Sequence, residues 1–119
     1  MRALKNDTAK LGIAISVVAP GITLTDIISG RQPGESLQNW AIRMRGLGVP
    51  INDPAEIADA VVYLMSEGIK ANGKGLLIQA GRVADLEYGI AKTRKLWMSE
   101  EMLRLFRGGR DAPLFPNKL

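Results

Sequence analysis

Three groups of residues in this chain have types and spacings suited to chemistry. The first is Pro20-Gly21-Ile22-Thr23-Leu24-Thr25, which follows the apolar run Ile13-Ala14-Ile15-Ser16-Val17-Val18-Ala19. A Pro-Gly turn at the carboxyl end of a strand exposes backbone N–H and C=O groups, and ligands of open α/β sheets bind in the crevice at those ends. Two hydroxyls, on Thr23 and Thr25, stand beside the turn. The second group is Tyr88-Gly89-Ile90-Ala91-Lys92. On a helix, residues four apart share a face, and an ammonium there can lower the pKa of a phenol that transfers a proton. The third is Gly73-Lys74-Gly75. Glycines that cradle phosphate follow a strand and open a helix; these precede an apolar run, so they do not fit that role.

Missing residue types narrow the chemistry. The 119 residues contain no His and no Cys. A Ser-His-Asp or Cys-His nucleophile cannot be assembled from them, and the side chain best matched to proton transfer near neutral pH is lacking. Disulfides and thiolate metal sites are excluded, and no metal site is expected.

The elements that must position these groups follow from periodicity and punctuation. Residues 1–11 carry Ala3, Leu4, Thr8 and Leu11 at helical spacing, with Gly12 placed as a C-cap. Residues 13–19 are nearly all apolar and rich in Ile and Val, which predicts a strand covered on both faces of a parallel sheet. Helix, Gly and buried strand make half of a right-handed βαβ unit. Residues 36–45 place Leu37, Trp40, Ala41 and Met44 on one helical stripe. Asp53, Pro54 and Glu56 form an N-cap, a first-turn proline and a capping-box partner, and Ile57, Val61, Leu64 and Met65 are the expected buried stripe. Gly68 fits the end of that helix. Leu76-Leu77-Ile78-Gln79-Ala80, closed by Gly81, predicts a short buried strand. Residues 88–106 contain at least one more helix, starting near Ser99-Glu100-Glu101, and residues 111–119, with two prolines, an extended tail.

Composition sets the class. Hydrophobic residues make up 46% and charged residues 24%, as in soluble globular domains. No apolar run approaches the ~18 residues of a membrane span, and the first residues lack the apolar centre of a signal peptide. A soluble intracellular protein, in the cytoplasm, is expected, with no membrane partner. Residues 1–87 hold nine Lys/Arg and nine Asp/Glu, so the net charge of +4 comes from the seven Lys/Arg and three Asp/Glu after them. No nucleic-acid motif accompanies these cations, which read as a solvated helix face, and no nucleic-acid partner is expected.

The order of elements resembles the last third of the short-chain dehydrogenase/reductase family. The matching features are an Ile/Val strand, Pro20-Gly21-x-x-x-Thr25, a variable helical segment, Gly48-Val49-Pro50, Asp53-Pro54-Ala55-Glu56-Ile57-Ala58-Asp59-Ala60-Val61-Val62-Tyr63-Leu64-Met65, and Gly73-x-Gly75-Leu76-Leu77-Ile78-Gln79-Ala80-Gly81. The resemblance covers about residues 1–81. From Arg82 the chain looks like an extension of branches resembling hydroxyprostaglandin or hydroxyaverantin dehydrogenases. The fold class so implied is α/β, the C-terminal portion of a Rossmann-type doubly wound parallel sheet. It has two strands with flanking helices over residues 1–87, then a helical C-terminal extension over 88–119.

The resemblance also implies roles. Pro20 and Gly21 shape the turn, the backbone of Ile22 and Thr23 faces the nicotinamide carboxamide, and the Thr25 hydroxyl bonds the carboxamide or a phosphate. Trp40 and Met44 fall where the family has its mobile substrate loop and are candidates to line a pocket for an apolar substrate, although such residues are more often core or interface. The parent reaction is hydride transfer between a secondary alcohol or ketone and NAD or NADP. The family's nucleotide-binding glycines, catalytic Ser and Tyr-x-x-x-Lys pair belong before Gly12, and nothing here matches them; Tyr88 and Lys92 follow the last expected strand and are a chance match. No catalytic residue is therefore expected, and the chain alone should neither bind the cofactor nor turn over. It reads as a truncated oxidoreductase, as an assembly module docking on a full-length relative in a homo- or hetero-oligomer, or as a chain whose Met1 is internal to a longer frame.

Overall fold

The computed structural model describes residues 1–108. In chain order these form α1 (Lys5–Lys10), β1 (Val17–Pro20), α2 (Leu37–Gly46), α3 (Pro54–Glu67), a 3₁₀ turn (Gly68–Ala71), β2 (Gly75–Gln79), β3 (Arg82–Asp85), α4 (Leu86–Lys92), α5 (Arg94–Trp97) and α6 (Glu100–Gly108). The sheet order is β1-β2-β3. The Val17 N–H donates to the Lys74 carbonyl and the Gly21 N–H to the Ile78 carbonyl. Donor and acceptor advance together, so β1 and β2 are parallel, joined by a crossover through α2 and α3. Between β2 and β3, Ala80 and Gly81 both have positive φ, 49° and 71°. Two consecutive residues in that region make the tight turn that suits an antiparallel hairpin. The result is a small α/β arrangement with a three-stranded mixed sheet, consistent with part of a Rossmann-like fold. It corrects the expectation of two parallel strands: β3 was hidden because Ala80, a residue that rarely adopts positive φ, stands where a turn would normally show Asn or Gly.

The described residues divide into two compact units. One comprises Met1–Val17, Glu67–Gly75 and the described residues from Asp85 onward; the other comprises Val18–Ser66 and Leu76–Ala84. In the first, the Gly12 N–H bonds the Ala9 carbonyl and the Ile13 N–H the Thr8 carbonyl, the paired bonds of a Schellman cap. Asn72 then ties two segments together: its amide N–H donates to the Lys5 carbonyl at 2.8 Å and its carbonyl accepts from the Ile15 N–H at 3.0 Å. Arg2 meets Glu87 with its Nε at 2.8 and 3.0 Å from the two carboxylate oxygens. Each of the three C-terminal helices is short. Asp85 caps α4 by accepting from the Tyr88 N–H, and Ser99 caps α6 by accepting from the Met102 N–H. The Arg94 guanidinium lies 4.3 Å from the Phe106 ring centroid, a cation–π contact.

In the second unit, Ser36 caps α2 through its hydroxyl, which accepts from the Asn39 N–H. Asp53 and Glu56 form the capping box of α3. The Asp53 carboxylate accepts from the Ala55 N–H at 3.0 Å, and the Glu56 carboxylate accepts from the Asp53 N–H at 2.8 Å. Trp40, Ala41 and Ile51 form a buried cluster, with Leu24, Ile28, Met44 and Val49 packed against it. The indole N–H of Trp40 is buried without a hydrogen-bond partner among the described residues. Burying an indole removes ~150–250 Å² from water, worth about 4–6 kcal/mol. An unpaired donor costs about 1–3 kcal/mol, so packing wins.

Several expected boundaries move. The strand foreseen over 13–19 contracts to Val17–Pro20, and none of its residues is fully buried; Ile13 is 51% exposed. β1 is the end strand of the described sheet, and an Ile/Val run is covered on both faces only where layers flank it. The buried stripe of α3 is Ala60 and Leu64, whereas Val61 and Met65 are exposed, because apolar partners meet one side of the helix only. β2 ends at Gln79 rather than Ala80. Residues 111–119, expected to be extended, lie outside the described residues. No helix among the described residues is long and apolar enough to cross a membrane.

The capping box makes one outcome definite. Asp53→Ala should destabilise the second unit by about 0.5–2 kcal/mol, the ordinary range for losing an acidic N-cap. Urea denaturation followed by the fluorescence of Trp40 measures it, and an unchanged midpoint would contradict the cap.

Candidate functional site

The Pro-Gly turn is built by two constraints at the end of β1. Pro20 lacks an N–H and closes the strand. Gly21 is the point of closest approach. A Cβ there would lie 3.3 Å from the Ile78 carbonyl oxygen, 3.5 Å from the Asn52 side-chain nitrogen and 3.6 Å from Gln79 Cγ. A side chain here would ask the Ile78 carbonyl to give by a few tenths of an ångström, whereas glycine leaves the Gly21 N–H at 2.8 Å from that carbonyl.

Beyond Gly21 the chain pairs with a residue absent from the sequence-based candidates. Thr23 and Asn52 form an isolated parallel bridge. The Asn52 N–H donates to the Ile22 carbonyl at 2.7 Å, and the Leu24 N–H donates to the Asn52 carbonyl at 3.0 Å. The Asn52 side chain, fully buried, donates through Nδ2 to the Ile78 carbonyl at 3.0 Å and accepts at Oδ1 from the Gly81 N–H at 3.3 Å. Nothing local in the sequence distinguishes Asn52 from a loop polar residue ahead of the Asp53 cap. Its partners lie about thirty residues away on either side, and only the fold reveals them.

This pairing orients the turn. In a parallel bridge the two neighbours of the central residue bond to the partner, and the central residue's own N–H and C=O point to the opposite side. For Thr23 these groups therefore face away from Asn52, and no bond engages the Thr23 N–H among the described residues. The Thr23 hydroxyl is turned back on the Gly21 carbonyl at 3.0 Å. Thr25 is exposed, with its hydroxyl 3.5 Å from the Thr23 carbonyl. Ile22 is half-exposed, at 47%. Most backbone groups of residues 20–25 are spent within the fold, and what the turn leaves outward is the Thr23 N–H and C=O edge with the exposed Thr25 hydroxyl beside it.

Trp40 and Met44 reach this region through packing. Trp40 is 5% exposed in the cluster that also holds Leu24 and Ile28, and Met44 is half-buried against it. The loop before α2 is stapled by charge. Arg43 reaches both oxygens of Glu35 at 2.8 Å, and the Gln32 N–H donates to the same carboxylate at 2.9 Å. The Arg43 guanidinium, helped by that N–H, holds the Glu35 carboxyl down at about 2.

The other two groups present no comparable site. Tyr88 and Lys92 are exposed on α4, the ammonium 5.5 Å from the ring centroid. In the Gly73-Lys74-Gly75 segment, the Gly73 N–H is spent on the Ile15 carbonyl and the Lys74 N–H on Ala71. Lys74 Nζ lies 3.5 Å from the Glu67 carboxylate. These amides are not free to cradle phosphate. Among the described residues no three acidic side chains converge as metal ligands would.

Fold and turn together describe the strand-end site of an open α/β protein. Over 84 residues, 67% of its length, the chain is 34% identical to the acetoacetyl-CoA reductase of Acinetobacter sp. (strain RA3849), and the match spans 32% of that protein. The chain therefore covers about a third of the relative it matches. This similarity supports the short-chain dehydrogenase/reductase resemblance at the level of the family and no branch within it. No family model matches the chain, and no solved structure matches it.

The Glu35 staple yields a pH dependence. Folding lowers this pKa, so the stapled loop is fully supported above the ordinary carboxylate value of 4.5 and loses that support as pH falls toward 2. Hydrogen-exchange protection of residues 30–35, corrected for intrinsic rate, should fall over that window. In Glu35→Gln the loop should be loose at neutral pH and insensitive to acid.

Proposed function

We propose that this chain belongs to an NAD(P)-dependent oxidoreductase of the short-chain dehydrogenase/reductase family and supplies its nicotinamide-end turn. The observation that carries this is the orientation of Thr23. Its N–H and C=O stand on the side opposite Asn52 at the carboxyl end of β1, where a flat primary amide can be met by one donor and one acceptor. Pro20 and Gly21 hold that geometry, Ile22 offers half-exposed apolar surface beside it, and the Thr25 hydroxyl is placed to add a hydrogen bond worth about 0.5–1.5 kcal/mol. A bound nicotinamide would supply hydride chemistry with a secondary alcohol or ketone. The similarity to acetoacetyl-CoA reductase favours an oxo substrate of the acyl-CoA kind.

The chain's own residues stop short of the reaction. Among the described residues no glycine-rich turn links a strand to a following helix, and Tyr88 and Lys92 lie exposed on α4. Residues 1–87 are the part assigned to the family domain and 88–119 to the helical extension. The branch assignment, toward hydroxyprostaglandin or hydroxyaverantin dehydrogenases, rests on the sequence from Arg82.

A second reading, assembly on a full-length relative or another copy, draws on α3. Val62 and Met65 are exposed on it at 62% and 74%, and the sheet ends in β1 and β3, whose edges are templates for pairing. Light scattering at micromolar concentration should find the isolated chain self-associated; a cooperative monomer would argue against this second reading.

The nicotinamide reading is tested by titrating nicotinamide mononucleotide into isotope-labelled chain. At millimolar concentration the amides of Ile22, Thr23 and Thr25 should shift before those of α3 or α4. NADH fluorescence should show no micromolar affinity. An unperturbed turn removes the nicotinamide reading, and micromolar NADH binding removes the claim that the chain alone lacks the cofactor cradle.

A further inference from the structure

We propose that Asn52 is the positioning residue of the candidate cofactor turn, setting the direction in which Thr23 presents its backbone without itself touching a ligand. The proposal deepens the nicotinamide reading and rests on it for the ligand, whereas the clamp stands on geometry alone. Asn52 has no exposed surface, and each of its four polar groups is used. Its backbone takes the Ile22 carbonyl and the Leu24 N–H, the two neighbours of Thr23. Its side chain takes the Ile78 carbonyl at the end of β2 and the Gly81 N–H in the β2–β3 turn. One residue therefore registers the turn against both the strand and the hairpin.

The chemistry requires an amide. The Ile78 carbonyl needs a donor and the Gly81 N–H an acceptor, and a primary amide carries the two on separate adjacent atoms, whereas a hydroxyl must use one oxygen for both. Gln is a methylene longer, in a site that also places Gly21 against Nδ2 at Cβ-contact distance. An aspartate is isosteric but presents a carboxylate oxygen to the Ile78 carbonyl. Burial would raise the pKa of that aspartate. Once protonated, its O–H can donate to Ile78 while the other oxygen accepts from Gly81, reproducing the asparagine pattern.

Amide hydrogen exchange on the full chain tests the idea, with Asn52→Ala and Asn52→Asp beside the wild type. In Asn52→Ala, exchange at Gly21, Leu24 and Gly81 should quicken about tenfold, as expected for losing one to two hydrogen bonds. Amides of α2 and α3 should hold, and the response of Thr23 to nicotinamide mononucleotide should weaken. In Asn52→Asp, protection at Gly21 and Leu24 should be low at neutral pH and recover on acidification. Asp53 and Glu56 are the charged groups of the adjoining cap, so the wild type is followed at each pH as the control. If Asn52→Ala loosens Gly81 alone, the side chain serves the hairpin and the proposal is overturned. If that variant loosens the whole unit, the Asn52→Asp series decides: absence of acid recovery at the turn overturns the proposal, and recovery supports it. A turn loosened by Asn52→Ala but unmoved by nicotinamide mononucleotide in the wild type would support the clamp and overturn the nicotinamide reading.

Discussion

The Ile78 carbonyl is the point on which the second unit depends. Ile78 is completely buried, and its oxygen accepts from both the Gly21 N–H and Asn52 Nδ2. A buried carbonyl left unpaired costs about 1–3 kcal/mol, so the chain that leaves β1 and the residue that precedes α3 are both drawn to the same atom. This explains why a glycine must follow Pro20 and why an asparagine must precede the Asp53 cap. It also explains why the turn takes one orientation. The direction of the Thr23 backbone follows from satisfying a buried backbone carbonyl.

Polar clamps of this kind matter because apolar burial is sparse. In the second unit the cluster around Trp40, Ala41 and Ile51 is small, and much of α3's apolar surface faces outward. In the first unit Ala71 and Leu103 are the hydrophobic residues that become fully buried among those described. There Asn72 does for α1 and the approach to β1 what Asn52 does for the turn, accepting from one backbone segment and donating to another. Each unit thus uses one asparagine amide where a side chain must serve a donor and an acceptor together.

What was legible in the sequence was local. The Asp53–Glu56 capping box and the helix start at Ser99 depend on residues within three positions of one another, and each forms as its spacing implies. The Pro-Gly turn was legible for the same reason. Burial was not, because it depends on neighbours. The same Ile/Val run that would be sheathed within a larger sheet lies half-open as an end strand, and Val61 and Met65 keep the right period without a partner layer. β3 escaped because its turn begins with Ala80 at φ 49°, which no turn preference favours. Asn52 escaped because its meaning lies in partners at residues 22, 24, 78 and 81.

The contrast between the two motifs shows where function resides in such a chain. Tyr88 and Lys92 reproduce a catalytic spacing letter for letter, yet helical geometry only sets an exposed ammonium over an exposed ring, in water that screens it. A phenol is activated by a nearby cation that water does not screen, and α4 leaves both groups exposed. Residues 20–25 have the weaker motif and the better site. Their donors and acceptors are backbone groups whose direction is imposed by a fully buried clamp, so they are organised before any ligand arrives. Preorganised dipoles need no rearrangement to meet an amide. The orientation of this turn is therefore set by Gly21, Asn52 and the Ile78 carbonyl, groups that lie behind the Thr23 edge.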